Sequence, residues 1–371
     1  MPGRSLNEAL AYYASAGADE GEEPKSDGER FRSQITFESL LLHVLTVMSD
    51  HDPNDKRLDD RKLVARFTEV LETLPPDSVG EWSRRFAYTL LKCRYLFDRL
   101  VLKRDATKGT GRIDPSDDSG GWSLMSFRRS SEDKTSGYYR DTFNRESVGS
   151  TDRTDLQRRL VLLESMLRVT YTGPRTMHWI TLVLRTALAS FPEKVEGTFD
   201  RSFAELYLVA LTNYARSKVR EAMGWPGLDA GTKVPRIVFT YTDYLLVIGP
   251  EHSTLFADYQ FGYRTSVEHF RPQRPEKDID QRLVGLSDAT SLELFGNLAL
   301  VTVSANSRFS NRSPADKADY HPDARRQSPK LEAMCALLER SNREWKDAQI
   351  REHGEAMRAL LEDDLALEGT Y

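Results

Sequence analysis

The sequence predicts a mainly α-helical protein with a small α+β unit in its last third, and three observations support this fold class. Apolar residues recur at spacings of three and four in long segments between positions 37 and 223. After Gly227 the sequence becomes β-branched and aromatic, with Gly and Pro between the apolar runs. A charged helical pattern then covers positions 330 to about 365. We therefore expect a helical domain followed by a smaller α+β domain.

The composition of the chain changes at positions that indicate domain limits. Residues 1–33 are rich in Gly, Glu, Asp and Ser, which predicts a disordered N-terminal segment. Residues 34–225 are expected to form the helical domain, and residues 226–371 the α+β domain with its C-terminal helix. Inside the helical domain, residues from about 105 to 154 are rich in Ser, Asp, Gly, Thr and Arg, which predicts a long mobile loop.

The helical domain consists of segments that each have an apolar face wide enough for a packed bundle. The second segment ends at Pro75-Pro76, because proline cannot continue a helix. The run at 236–248 is compatible with a strand and with a short helix, and both remain open. The helices predicted for the first domain cover positions 37–48, 59–74, 81–103, 156–169, 176–190 and 203–223.

Composition and charge exclude several classes of protein. A net charge of −5 argues against a chain coated with positive charge, although a local basic groove can still bind phosphates. No stretch approaches the roughly 20 apolar residues that span a bilayer, and the N-terminus lacks a secretory pattern. We expect a cytoplasmic location and no membrane partner. Cys93 and Cys335 have no partner at metal-ligand spacing, which predicts buried free thiols.

One segment carries residues suited to phosphodiester hydrolysis, which needs a base, a cation and rigid groups that hold both in line. His269 follows an apparent strand at 263–268, and a neutral imidazole can accept a proton near neutral pH. Glu268 can offer a carboxylate oxygen to a hard cation such as Mg²⁺ or Mn²⁺, and Asn306 an amide oxygen. The sequence therefore predicts His269 as the general base beside a divalent cation.

The order of elements around His269 carries a family resemblance. Pro272 can end the first strand, Gly296 permits a close approach, and the run 298–303 forms a second strand before Asn306 opens a helix. This strand, strand, helix order resembles the ββα-metal fold of HNH endonucleases. More narrowly, V-E-H-F-R-P-Q, G-N-L-A-L-V and N-S-R-F-S-N look like the C-terminal HNH domain of GmrSD-type modification-dependent restriction enzymes, a family that includes phosphorothioate-sensing SspE-like proteins.

The resemblance implies a role for individual residues. Asn297 orients the base or its loop, and Asn311 and Lys317 serve local structure or contact phosphate. Arginines that alternate with phenylalanines are predicted to form a phosphate-contacting rim, with solvated surface charge as the alternative. The catalytic set expected in this way is His269, Asn297 and Asn306, and the metal set is Glu268 and Asn306. The expected nucleic-acid contacts are Arg264, Arg271, Arg308, Asn311 and Lys317.

The resemblance also sets the expected function, a metal-dependent HNH endonuclease that nicks or cleaves DNA within a modification-dependent restriction or phage-defence system. Two alternatives remain open: a DNA-binding sensor subunit with little intrinsic catalysis, and an RNA-directed nuclease. Members of the family commonly carry an acidic-Gly-Gln-Gln-Arg signature of nucleotide hydrolysis, which this sequence lacks. We expect that activity on a partner subunit, unless the chain is a C-terminal portion of a longer protein.

Overall fold

The structure is a computed structural model that describes residues 31–49, 58–105, 121–129, 137–143, 153–190, 199–250, 255–276 and 281–367. The predicted disordered segment, residues 1–33, lies outside these residues except for its last three positions. Within the described part of the chain, helices dominate and the sheets are small and antiparallel. No helix there is long and apolar enough to cross a membrane.

The helices predicted for the first domain are confirmed, with ends that differ by a few residues. The first begins after Thr36, whose side chain accepts a hydrogen bond from the backbone N–H of Ser39. The second ends shortly before Pro75, as the proline pair predicts. These helices are α1 (Phe37–Met48), α2 (Leu63–Glu72), α3 (Val79–Leu100), α4 (Arg153–Thr170), α5 (His178–Ser190) and α6 (Arg201–Gly224).

The segment predicted as a mobile loop at about 105–154 contains short β strands within residues 121–129 and at residues 137–141. Trp122 attaches this segment to the rest of the protein, because its ring is buried and its Nε1 donates to the backbone oxygen of Phe261 at 2.6 Å. Other parts of the segment, such as residues 106–120, lie outside the described residues. The strands are β1 (Phe31–Arg32), β2 (Lys103–Asp105) and β3 (Gly121–Ser123) in one sheet, and β4 (Met125–Arg129) and β5 (Gly137–Asp141) in another.

The run left open between strand and helix is a helix, α7 (Arg236–Ile248). Every residue from Ile237 to Val247 is buried, so the helix is covered on all sides. A fully buried helix has no polar stripe, and its β-branched composition then looks like that of a strand. Because neighbouring helices bury this segment on all sides, the spacing of its apolar residues did not distinguish a helix from a strand.

His269 lies on a short antiparallel pair, β6 (Ser266–His269) and β7 (Leu298–Val301). His269 pairs with Leu298 and Glu268 with Ala299. Helix α9 (Val303–Phe309) follows β7 almost directly and packs against β6. The predicted order of strand, strand and helix is therefore present, although the first strand begins at Ser266 instead of Tyr263.

The C-terminal helical pattern at 330–365 is two helices, not one. Asn342 and Arg343 adopt positive φ angles of 51° and 64°, which a continuous right-handed helix does not allow. The remaining helices are α8 (Gln281–Val284), α10 (Pro314–Tyr320), α11 (Pro322–Gln327), α12 (Pro329–Arg340) and α13 (Asp347–Ala366).

Strand β7 lies between two hydrophobic clusters. Leu298 and Leu300 belong to the larger cluster, which also contains residues of α1 and of helices α3 to α7. Ala299 and Val301 belong to the smaller cluster, which includes Trp345. Because side chains alternate along a strand, each face of β7 is covered by a different cluster. The strand that pairs with β6 is thereby fixed from both sides.

Candidate active site

His269 is the last residue of β6, and its side chain is 13% exposed. Its Nε2 lies 3.1 Å from Oε1 of Glu293, and Nε2 of Gln273 donates to the same oxygen at 2.7 Å. Nε2 of Gln273 also lies 3.4 Å from Nε2 of His269, but the carboxylate oxygen is closer to this amide. An ionised carboxylate only accepts hydrogen bonds, so a neutral imidazole that bonds to Glu293 carries its proton on Nε2. The lone pair is then on Nδ1, which is the atom able to take a proton.

Glu268 points to the other face of β6, as alternation along a strand requires. Its Oε1 accepts a hydrogen bond from Nζ of Lys317 at 2.5 Å, and the same ammonium donates to the backbone oxygens of His269 and Phe270 at 2.7 and 3.2 Å. Burial raises the pKa of Glu268 and lowers the pKa of Lys317, while their attraction opposes both shifts. The pair therefore forms a buried ionic link at the end of β6.

This ionic link does not fit the predicted metal site. The Glu268 side chain is only 9% exposed and its charge is already neutralised by Lys317, so a cation would have to displace a buried ammonium. In the described ranges there is also no group of three or more His, Cys, Asp or Glu side chains placed to hold a metal ion. The pairing of Glu268 with Lys317 accordingly speaks against Glu268 as a ligand.

Asn297 is fully buried and uses its whole hydrogen-bonding capacity on the loops of the site. Its Oδ1 accepts from the backbone N–H of Arg271 at 2.8 Å and from Nε1 of Trp345 at 3.1 Å. Its Nδ2 donates to the backbone oxygens of Arg271 and Leu292 at 3.1 and 3.0 Å. Asn297 thus connects the chain just after His269 with the chain just before Glu293, and it acts on the site through backbone.

Asn306 lies in the middle of α9 and is half-buried. The helix begins at Val303, capped by Thr302, so Asn306 does not open it as the sequence predicted. The helix packs against β6, the strand that carries His269. The metal role predicted for Asn306 stays a prediction.

The predicted phosphate-contacting rim is not one surface. Arg264 is 2% exposed and pairs with Asp243 at 2.6 Å, Arg271 is 6% exposed and bonds to backbone oxygens, and Lys317 is 1% exposed. These three side chains are enclosed by protein in this conformation, and their predicted contact with a phosphate stays a prediction. Arg308 and Asn311 are exposed, and Arg308 forms a 2.6 Å surface ion pair with Asp323.

Sequence reasoning missed Glu293 and Gln273, which the fold brings to His269. Glu293 is 24 positions away from His269 and stands in an otherwise apolar run, S-L-E-L-F-G-N. Gln273 was part of the quoted segment V-E-H-F-R-P-Q, but nothing in its spacing indicated a contact with a carboxylate. The one available signal was a single charged residue next to Leu292, Leu294 and Phe295.

Residues 237–360 match the family model described as GmrSD restriction endonucleases, C-terminal domain. The GmrSD resemblance predicted for this region is confirmed. The match runs from α7 into α13 and includes His269, Glu293 and Asn297. It indicates a nuclease of the restriction type. Comparison with curated proteins and with solved structures gives no match.

Proposed function

We propose that this chain is an endonuclease that hydrolyses DNA, with His269 in its GmrSD-type region as the general base. One observation carries the proposal: His269 ends a strand inside the matched region, with Nε2 bonded to a carboxylate. The lone pair of Nδ1 is then the one that can accept a proton. A base held on one ring nitrogen by an acidic group is a recurring arrangement in hydrolases.

In the proposed reaction Nδ1 of His269 accepts a proton from water, and the water oxygen attacks the phosphorus. The bond from phosphorus to the leaving sugar oxygen breaks, that oxygen takes up a proton from bulk water, and the imidazolium of His269 afterwards returns its proton to bulk water. Mg²⁺ or Mn²⁺ remains the predicted cation, on the general ground that such ions neutralise charge on the scissile phosphate. No step is assigned to the cation, because the predicted ligand Glu268 is held by Lys317.

The finer parts of the proposal rest on the family resemblance and on the order of elements. The antiparallel pair β6 and β7 followed by α9 supports an HNH-type ββα unit within a nuclease domain at 226–371. The matched family consists of restriction endonucleases, which supports a role in restriction of modified or phage DNA. Arg308 and Asn311 stay proposed as nucleic-acid contacts because their side chains are exposed.

A plasmid-nicking assay tests the role of His269. With supercoiled DNA in Mg²⁺ or Mn²⁺, His269→Ala should reduce nicking by about 10²- to 10⁴-fold, the usual contribution of a general base. His321→Ala is the matched control, since His321 lies in the same region and its ring packs edge-on against Phe309. Equal nicking by the His269→Ala and control variants would reject the assignment.

The same experiment separates the alternatives left open by the sequence. Duplex DNA and structured RNA are digested in parallel, and a preference for RNA would replace DNA as the substrate. The sensor function is supported instead if the wild-type chain binds DNA in a gel-shift assay but does not cut it, whichever divalent cation is added.

A further inference from the structure

We infer that Glu293 is the positioning residue for His269, and that Gly231 provides the space in which the Glu293 carboxylate lies. The inference rests on the proposed function, because it concerns the same imidazole. It assigns a role to two residues outside the sequence segments that carried the family resemblance.

The first observation is the set of bonds around the Glu293 carboxylate. Oε1 is 3.1 Å from Nε2 of His269 and accepts from Nε2 of Gln273 at 2.7 Å. His269 and Gln273 come from one side of the site, and Glu293 comes from the short helix Ala289–Glu293 on the other. The carboxylate therefore fixes the orientation of the imidazole ring and favours the Nε2–H tautomer, in which Nδ1 carries the lone pair.

The second observation is the contact between Glu293 and Gly231. A Cβ built on Gly231 would lie 2.2 Å from Oε2 of Glu293 and 3.2 Å from its carboxyl carbon. No real Cβ approaches an oxygen that closely, so any side chain at position 231 must displace the carboxylate. Gly231 also has a φ of +63°, a conformation that glycine adopts without the penalty paid by other residues. The turn before α7 is thereby shaped to hold Glu293.

Kinetics of Glu293→Gln provide the first test. We expect kcat for plasmid nicking to fall about tenfold to a hundredfold, with little change in DNA affinity, because the imidazole loses its charged orienting partner. Glu293→Asp should restore part of the rate. Glu352→Gln, which removes the same charge from an exposed position of α13, is the control. A kcat for Glu293→Gln equal to that of the control would overturn the inference.

Gly231→Ala provides a steric test that leaves the charge of Glu293 in place. The added methyl group should displace the carboxylate and lower kcat by up to about 10²-fold, as a misplacement of about 1 Å can do. Gly227→Ala is the matched control: Gly227 has a φ of +88°, but its nearest neighbour to a new Cβ is Met223 O at 3.6 Å. Both variants carry similar backbone strain. An equal loss of rate in both would therefore contradict the inference that position 231 acts through the Glu293 carboxylate.

An NMR measurement separates this inference from the proposed function. Long-range ¹H–¹⁵N spectra of histidine-labelled protein report which ring nitrogen is protonated. In the wild-type chain the neutral His269 signals should be those of the Nε2–H tautomer, and Glu293→Ala should convert them to a mixture. If nicking proves independent of His269 the proposed function fails, whereas a tautomer unaffected by Glu293→Ala removes the positioning role alone.

Discussion

Charged residues near His269 divide into those that stabilise the fold and those that can meet a substrate. Lys317 is enclosed and bonded to three oxygens, whereas Arg308 is 44% exposed and pairs on the surface. Removing the carboxylate partner of an enclosed ammonium is strongly destabilising, because the buried charge is left unpaired. An exposed arginine remains free to exchange its carboxylate partner for a phosphate at little cost.

Substitution of Lys317 tests the structural role of its pair with Glu268. Lys317→Met should lower the free energy of unfolding by about 3–5 kcal/mol in urea denaturation, because it leaves a buried carboxylate unpaired. The double variant with Glu268→Gln should recover part of the loss, since no charge is then left alone. A different outcome, in which Glu268→Gln abolishes nicking and leaves stability unchanged, would restore the predicted metal role of Glu268.

Contacts between elements decide how the site is held. The loop before β7 approaches α13 at two glycines: a Cβ on Gly296 would lie 1.9 Å from the backbone oxygen of Ile350 and 3.0 Å from Cα of Gly354. Only a residue without a side chain allows that approach, as the sequence predicted for Gly296. Together with the bonds of Asn297, the contact fixes the loop that carries Glu293 against the C-terminal helix.

The free energy of unfolding depends on pH through His43, which lies at the contact between α1 and α5. His43 on α1 is completely buried and its Nδ1 lies 2.7 Å from Oγ1 of Thr181 on α5. Burial, with a smaller effect of His178, lowers the pKa of His43 from 6.5 to about 3. Between these values the unfolded chain binds a proton that the folded chain does not, so this contribution is fully present above pH 6.5 and is lost as the pH falls toward 3.

A pH series of unfolding experiments measures this contribution. The wild-type free energy of unfolding should fall by up to about 1.4 kcal/mol per pH unit below pH 6.5 on account of His43. His43→Gln should reduce that slope, because glutamine does not titrate. Thr181→Val removes the hydrogen bond but keeps the imidazole, so it should retain the slope; identical slopes in wild type and His43→Gln would contradict the prediction.

At the scale of the whole molecule, one hydrophobic cluster includes residues from both predicted domains. Leu211 of α6 and Leu361 of α13 belong to it, although the domain limit was predicted at 225/226. Asp364 of α13 adds polar links, because it pairs with Arg216 at 2.7 Å and accepts from the hydroxyl of Tyr241 at 2.7 Å. The helical part therefore supports the part that carries His269.

A shared cluster predicts that the two parts unfold together. Differential scanning calorimetry of the full chain should show one transition, and Arg216→Met should lower its Tm by about 3 °C, corresponding to ~2 kcal/mol. Arg201→Met is the control, because Arg201 forms an exposed pair with Glu205 within α6. Two separate transitions, with only one shifted by Arg216→Met, would show that the cluster does not couple the parts.

The sequence by itself determined the helices with a clear apolar face, the family of residues 237–360 and the strand, strand, helix order around His269. These features depend on neighbours a few positions apart or on motifs, which a sequence shows directly. Tertiary structure decided that Arg264 and Lys317 are enclosed and that residues 236–248 are helical. It also brought the Glu293 carboxylate into contact with His269 and next to Gly231. Burial and long-range pairing depend on residues distant in sequence, so local pattern could not predict them.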